Sequence, residues 1–140
     1  MGARVRTILL TTLVGALVAA AAAAGRLNDD DDDRMVVEVR TYTLKPQTRD
    51  RFVRAFEERA VPALEAAGIR VIGSFVSTED NRTFVWLRGF RNEEDRVEKI
   101  RAFYSSEAWR AMAGEFVPLI AEDGIDVKVV TPTPGSAIRW

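Results

Sequence analysis

The chain has 140 residues, enough for one domain, and it contains no histidine and no cysteine. These absences exclude disulfides, thiolate nucleophiles, Cys/His zinc sites, a proximal histidine for haem, and Ser-His or Cys-His catalysis. Residues 35–140 have equal numbers of basic and acidic side chains, so we do not expect a nucleic-acid partner. We also expect no metal and no cofactor, which leaves Asp, Glu, Tyr, Lys and Arg for any acid–base chemistry.

Residues 1–34 differ in composition from the rest of the chain. A basic start precedes an apolar run over residues 8–24, which ends in alanines and is followed by a run of aspartates. This order is typical of a secretory signal peptide, and the run is shorter than the about 20 residues of a membrane-spanning helix. The alternative is that translation starts at Met35. The first interpretation implies export, or membrane anchoring through the uncleaved segment, and the second a cytoplasmic protein.

The remaining residues predict strands and helices in the order β-α-β-β-α-β. Alternation at period two with β-branched residues predicts the strands, and apolar residues at helical spacing predict the helices. Pro62 should kink the first helix, Gly68 suits its end, and Asn92 suits the start of the second. Ser105 and Ser106 interrupt the second helix. The predicted strands are 36–44, 69–77, 83–90 and 125–131, with one helix between the first two and the interrupted helix between the last two.

This order of elements is typical of a ferredoxin-like fold of the α+β class. Such a fold has a four-stranded antiparallel sheet with both helices on one face. We assign the domain to residues 35–134 and a C-terminal tail to residues 135–140, with residues 1–34 outside the fold.

One set of alternating strand positions is rich in aromatic residues, and we place it on the sheet face without helices. Each aromatic side chain buries about 150 to 250 Å², so the set exceeds what a soluble monomer normally exposes. We therefore expect a second copy to cover this face around a two-fold axis, giving a homodimeric α+β barrel. The aromatic residues are Tyr42, Phe75, Phe84, Trp86 and Phe90.

Glu38, Arg40 and Arg88 share this face by alternation. A buried charge without a partner costs several kcal/mol, and one glutamate satisfies one arginine well or two imperfectly. We therefore expect Arg40 or Arg88 to face a cavity, open to an anionic or carbonyl-bearing ligand, with Tyr42 and Trp86 beside it. A set of purely structural salt bridges at the barrel rim remains the alternative.

Several motifs resemble the NIPSNAP family. They are VEVRTYTLKP at residues 37–46, GSF at 73–75, FVWLRGF at 84–90 and FYSSEAW at 103–109. Gln47 stands where the family usually has glycine. The resemblance implies a dimeric α+β barrel and no defined reaction.

Two classes of function stay open. The first is a homodimer that binds a small anionic or carbonyl-bearing ligand through Arg40 or Arg88, with Trp86 and Tyr42 stacked against it. The second is an enzyme, a cofactor-independent monooxygenase or an isomerase acting on a small aromatic or polyketide-like compound. There Glu38 would be the base, and an arginine would stabilise an enolate-type anion. The wider superfamily that the resemblance implies includes such monooxygenases.

Overall fold

The computed structural model describes residues 34–140, in which one four-stranded antiparallel sheet is covered by helices on one face. The signal-like interpretation of the N-terminal segment falls on residues outside the described ones. The elements are β1 Val36–Leu44, α1 Arg49–Ala55, α2 Val61–Ala66, β2 Arg70–Val76, β3 Thr83–Phe90, α3 Glu93–Tyr104, α4 Glu107–Phe116 and β4 Ile120–Val130. The strand order in the sheet is β2-β3-β1-β4. The predicted ferredoxin-like α+β fold is confirmed.

The first helical region is interrupted where proline was expected to disturb it. A five-residue π-helical turn, Phe56–Ala60, joins α1 to α2. Pro62 lies in the first turn of α2, where a missing backbone N–H is tolerated. The chain therefore accommodates the proline by a wider turn before it rather than by a simple kink. Gly68 ends the region with a φ of 76°, a left-handed conformation that glycine adopts without strain.

The second helical region follows its capping residues closely. The Asn92 side chain accepts a hydrogen bond from the backbone N–H of Asp95 at 2.9 Å, at the start of α3. The Ser106 hydroxyl accepts one from the backbone N–H of Trp109 at 3.2 Å, at the start of α4. The predicted cap and the predicted interruption are both present, and together they fix where α3 crosses the sheet.

β4 begins five residues before its predicted start, because a bulge extends its pairing with β1. Ile120 pairs with Leu44 beyond a shift in register. Asp123 adopts a positive φ of 53° in this irregular stretch. A Cβ atom on Gly124 would lie only 2.6 Å from the carbonyl oxygen of Thr43, so the backbones approach too closely for a side chain. Acidic residues in this stretch hide the strand pattern.

The hydrophobic core lies between the sheet and the helices, and it contains the aromatic residues that we placed on the other face. The rings of Phe52 and Phe84 are 5.1 Å apart between centroids, and those of Phe56 and Trp86 are also 5.1 Å apart. Our assignment of the sheet face is therefore wrong. Alternation determines which side chains share a face, but not which face the helices cover. The misplaced aromatic residues are Tyr42, Phe84, Trp86 and Phe90.

Phe75 is separated from the other aromatic residues by an irregularity in β2. The register against β3 shifts between Val71 and Gly73, which inverts the alternation. Phe75 therefore pairs with Val85 instead of sharing a face with Trp86. It lies on the helix-free face and is 56% exposed.

The helix-free face has an apolar centre, which we call the free face. Val39 pairs with Leu87 across β1 and β3, and Phe75 pairs with Val85 across β2 and β3. The side chains of Val39, Val85 and Leu87 are only partly buried in the single chain. The outer face of an antiparallel sheet normally has polar residues in these positions, so this face differs from a solvated one. None of the helices in residues 34–140 is long and apolar enough to cross a membrane.

Candidate functional site

The candidate site lies in the middle of the helix-covered face. Alternation along β1 places Glu38 and Arg40 on this face, and the register of β3 places Arg88 directly opposite Glu38. All three side chains are at most 5% exposed. α3 crosses above them and contributes Arg96. We call Glu38, Arg40, Arg88 and Arg96 the arginine cluster.

A single carboxylate holds the three arginines together. One oxygen of Glu38, Oε2, accepts hydrogen bonds from Nη1 of Arg40 at 2.7 Å and from Nε of Arg88 at 2.8 Å. The other oxygen, Oε1, accepts from Nη1 of Arg96 at 2.8 Å. Arg96 also donates to both carboxylate oxygens of Glu93, at 2.7 and 2.6 Å. Charge-assisted bonds of this kind are among the stronger ones in proteins.

Arg96 is not among the site residues that the sequence predicts. Its position was nevertheless readable, because Asn92 caps α3 and Arg96 follows one turn later. A helix that returns over β1 places that turn near Glu38. The polar first turn of α3 by itself predicts only a helix start, and it does not indicate that Arg96 is a partner of Glu38.

The arginine cluster has more positive than negative charge. Within residues 34–140, the carboxylates that pair with Arg40, Arg88 and Arg96 are those of Glu38 and Glu93, which leaves one positive charge in excess among these five side chains. Arg40 and Arg88 share one oxygen atom of Glu38, although a guanidinium group can engage a whole carboxylate. The excess charge lies in the buried part of the cluster.

Aromatic rings partly compensate the arginines for the lack of a second carboxylate. The guanidinium carbon of Arg40 lies 5.5 Å from the ring centre of Trp86, and that of Arg88 lies 5.4 Å from the same ring. The Tyr42 hydroxyl accepts a hydrogen bond from Nε of Arg40 at 3.0 Å. Tyr104 lies on the other side, with its ring centre 5.7 Å from Arg88. Such cation–π contacts contribute about 0.5 to 2 kcal/mol each.

Trp86 has a buried donor without an acceptor. Its indole N–H is the one buried side-chain nitrogen or oxygen among residues 34–140 that lacks a hydrogen-bond partner. Leaving such a donor unpaired costs about 1 to 3 kcal/mol. The unpaired donor therefore belongs to a ring that contacts both the Arg40 and the Arg88 guanidinium groups, beside the region of excess positive charge. An oxygen atom from outside the chain would complement both features.

The carboxyl group of Glu38 is held in its ionised form. Burial alone would raise the pKa of Glu38, but the charges of Arg88 and Arg40 and the hydrogen bonds from Arg96 and Arg40 lower it below its ordinary value. Both of its oxygens already accept hydrogen bonds. A carboxylate with a lowered pKa and occupied oxygens is a poor general base, which argues against the role of base that the enzyme hypothesis gave it.

The structure places Arg40 and Arg88 in the core, and that one of them faces a ligand cavity stays a prediction. Both guanidinium groups bond to Glu38 inside the core, and α3 with Arg96 closes the cluster from above. Two surface clefts, of about 380 and 340 Å³, lie on either side of Arg54 and contain none of the arginine cluster. Among residues 34–140, no group of three or more acidic side chains is arranged to hold a metal ion.

β4 exposes apolar residues next to the arginine cluster. Ile125, Val127 and Val129 pair with Tyr42, Arg40 and Glu38 of β1, so they lie on the helix-covered face of the sheet. Ile125 is nevertheless 50% exposed and Val129 is 49% exposed. The helices therefore stop short of this edge. We call Ile125, Val127 and Val129 the β4 strip.

The fold and this centre define a class of protein, a ferredoxin-like α+β domain with a charged, aromatic-walled interior beside an open strand. The NIPSNAP family model matches residues 37–137, and the chain belongs to the NIPSNAP family. The resemblance in the sequence motifs is therefore confirmed. Among curated proteins, no sequence matches the chain significantly.

Solved structures share the fold. A NIPSNAP-like domain protein from Burkholderia xenovorans has 24% identity and a TM-score of 0.68, over 76% of this chain and 91% of that one. A NIPSNAP family protein of unknown function from Agrobacterium tumefaciens has 20% identity and a TM-score of 0.69, over 76% and 96%. An antibiotic biosynthesis monooxygenase-like protein from Chloroflexus aurantiacus has 17% identity and a TM-score of 0.55, over 75% and 99%. At these identities the likeness shows the fold.

Proposed function

We propose that this NIPSNAP domain binds a small anionic or carbonyl-bearing ligand at the arginine cluster, and that it does so as a homodimer. The observation that carries the ligand proposal is the unpaired indole N–H of Trp86 within a buried region of excess positive charge. A ligand oxygen at this point would accept a hydrogen bond from Trp86 and offset the extra charge of Arg40 or Arg88. Tyr42 would form part of the wall of the site.

Access to the site involves Arg96. Its side chain is 18% exposed, whereas those of Arg40 and Arg88 are 5% and 1% exposed. Arg96 therefore forms the outer edge of the cluster, and its second partner, Glu93, lies at the surface. A rotation of the Arg96 side chain toward Glu93 opens the cluster without a change in the backbone. Side-chain rotations of this kind are fast compared with ligand exchange.

The indole N–H groups offer a direct test by ¹H–¹⁵N NMR. The chain has three tryptophans, so Trp109 and Trp140 serve as internal references for Trp86. We expect titration with acetate, and more weakly with acetamide, to shift the Trp86 indole signal in a saturable way. The other two signals should stay in place.

Matched arginine variants connect that signal to the cluster. Arg40→Met should abolish the acetate-dependent shift of Trp86. Arg110→Met should retain it, because the Arg110 side chain is 64% exposed and bonds to Glu107 and to the backbone carbonyl of Ser105, outside the arginine cluster. The ligand proposal fails if acetate and acetamide leave the Trp86 signal unmoved, or if Arg40→Met responds like the unmodified protein.

The homodimer proposal rests on the apolar centre of the free face and not on the aromatic residues from which the sequence predicts it. The aromatic residues expected at the interface are core residues, but the free face still has an apolar centre at Val39, Val85, Leu87 and Phe75. Two such sheets pack face to face at about 10 Å around a two-fold axis. The complementary surface is the same surface on a second copy, which is why we propose self-association.

Two aspartate substitutions separate the interface from general surface effects. Leu87→Asp places a charge in the middle of the free face, and Val76→Asp places one at a residue that is 45% exposed on the helix-covered face. By light scattering after size exclusion, we expect a dimer for the unmodified protein and for Val76→Asp, and a monomer with an unchanged circular dichroism spectrum for Leu87→Asp. A monomeric unmodified protein at micromolar concentration would refute the homodimer.

The alternative, a cofactor-independent monooxygenase or isomerase acting on a small aromatic or polyketide-like compound, has weaker support. Its basis is the fold shared with the monooxygenase-like structures, which differ from this chain at more than four-fifths of aligned positions. Glu38 is unsuitable as its base for the reasons given above. Binding without chemistry therefore stands first.

A further inference from the structure

We infer that the ligand of the arginine cluster is an amphiphilic acid, with a carboxylate head at Arg40 and Trp86 and an extended apolar body along the β4 strip. The inference rests on the proposed function, which places an anionic or carbonyl oxygen at the cluster. It adds the chemical class of the rest of the ligand.

The register of the sheet places the β4 strip beside the arginine cluster, so one ligand could contact both. Val127 lies directly opposite Arg40 across β1 and β4, with Ile125 opposite Tyr42 on one side and Val129 opposite Glu38 on the other. Directly opposed residues in an antiparallel pair have Cβ atoms about 5 Å apart. The β4 strip is therefore the immediate neighbour of the cluster's arginine on the helix-covered face.

β4 has charged residues on the free face and apolar residues on the side of the helix-covered face that no helix covers, where an exposed edge strand would normally be polar. Asp126 and Lys128 lie on the free face, where they pair with Thr41 and Val39. The three apolar residues of the β4 strip lie on the helix-covered face, although no helix covers Ile125 and Val129, which remain half exposed, while Val130 pairs with Val37 on the free face. An edge strand left to solvent normally has polar residues on its open side. The β4 strip therefore has the composition of a surface that is covered.

Size and charge indicate what covers it. Ile125 to Val129 span about 13 Å along the strand, the length of an extended chain rather than of a compact ring. The middle of the strip, Val127, lies opposite Arg40 and so adjoins the excess positive charge, and Trp86 lies on the other side of Arg40, opposite it across β1 and β3. A single molecule with an acidic head and a linear apolar body complements both the strip and the cluster. A second copy of the chain is assigned to the free face, on the opposite side of the sheet.

A series of straight-chain acids tests the apolar part separately from the head. We use acetate, hexanoate and octanoate, with the Trp86 indole signal as the readout. Each methylene that leaves water tightens binding by up to about fourfold. Because the strip is open on one side, we expect hexanoate to bind at least about tenfold more tightly than acetate, with octanoate tighter still.

Serine substitutions on the two edges of the sheet provide the matched comparison. Val129→Ser and Ile125→Ser should remove most of the gain from acetate to octanoate while leaving the acetate response intact. Val76→Ser should retain the gain, because Val76 lies on the same face but at the opposite, β2 edge of the sheet. Val76 is a matched control because its exposure, 45%, is similar to that of Ile125 and Val129.

The two proposals fail in different ways. If acetate shifts the Trp86 signal but all three acids bind equally, the amphiphilic ligand is refuted and the proposed function stands. If Val76→Ser loses the gain as much as Val129→Ser does, the apolar body of the acid does not bind along the β4 strip. If Val129→Ser changes the oligomeric state, the strip is an interface between copies and the inference is wrong. If acetate has no effect on Trp86, the proposed function itself fails.

Discussion

Glu38→Gln is the substitution that tests most directly what holds the interior of this domain together. Glutamine keeps the shape of glutamate but removes the charge that Arg40, Arg88 and Arg96 share at 2.7 to 2.8 Å. Removing one member of a buried ion pair destabilises a protein by about 3 to 5 kcal/mol. Here the loss leaves two guanidinium groups, each at most 5% exposed, without a carboxylate. We expect a loss of about 3 to 5 kcal/mol in the free energy of unfolding.

Urea denaturation followed by tryptophan fluorescence measures this loss. The control is Glu107→Gln, since the Glu107 side chain is 87% exposed and, within the described part of the chain, pairs only with Arg110. Surface substitutions of this kind change stability by about 0.5 kcal/mol or less. If Glu38→Gln costs less than about 1 kcal/mol, the arginines find adequate partners elsewhere. The argument that Glu38 is the shared counter-ion would then be refuted.

The same substitution has a defined pH dependence. Because the folded-state pKa of Glu38 is lowered, its contribution to stability is present above the ordinary carboxyl pKa of about 4.3 and is lost as the pH falls through the folded-state value. The difference in stability between the unmodified protein and Glu38→Gln should therefore be constant above about pH 5. It should shrink below about pH 4. A difference that grows on acidification would contradict the assigned direction.

Other predictions concern local features of the fold and are measured by the same denaturation experiment. Asn92→Ala should cost about 1 kcal/mol, because the backbone N–H of Asp95 loses its capping acceptor; no loss would mean that water replaces the cap fully. Gly124→Ala should cost about 1 to 3 kcal/mol, because its Cβ would lie 2.6 Å from the carbonyl oxygen of Thr43. Gly114→Ala is its control and should stabilise the protein by about 0.5 to 1 kcal/mol, since a Cβ there meets nothing within 4 Å inside α4.

Much of the fold was predictable because local signals agree with one another. The bounds of β1 and β3 follow from alternation with β-branched and aromatic residues, the start of α3 follows from capping by Asn92, and the break before α4 follows from Ser105 and Ser106. The start of β4 was harder to predict, because its first residues pair with β1 beyond a bulge, and a bulge can be recognised only when the partner strand is known. The face of the sheet was assigned wrongly for a related reason. It depends on where two distant helices pack, and the sequence of a strand contains no such information.

The candidate site was predictable in part. That Glu38, Arg40, Tyr42, Trp86 and Arg88 share one surface followed from period two in two strands, and the pairing of β1 with β3 brings them together. The closure of the cluster was not predictable from those strands. It depends on Arg96 of α3, which donates a hydrogen bond to Oε1 of Glu38. A polar residue on a helix contacts a strand only if the crossing angle brings it there, and that angle is set by packing of the whole core.

β1 contributes residues to both the proposed ligand site and the proposed dimer interface, because its consecutive side chains point to opposite faces of the sheet. Glu38 and Arg40 point into the cluster, while Val39 between them pairs with Leu87 at the centre of the free face. A second copy on the free face would restrain the backbone of β1, and the positions of both charged side chains depend on that backbone. The two proposals together therefore predict that dimerisation and ligand binding are coupled through one strand rather than through a separate element. A strand that is restrained on one face orders the side chains on the other, and binding in a preorganised site loses less conformational entropy.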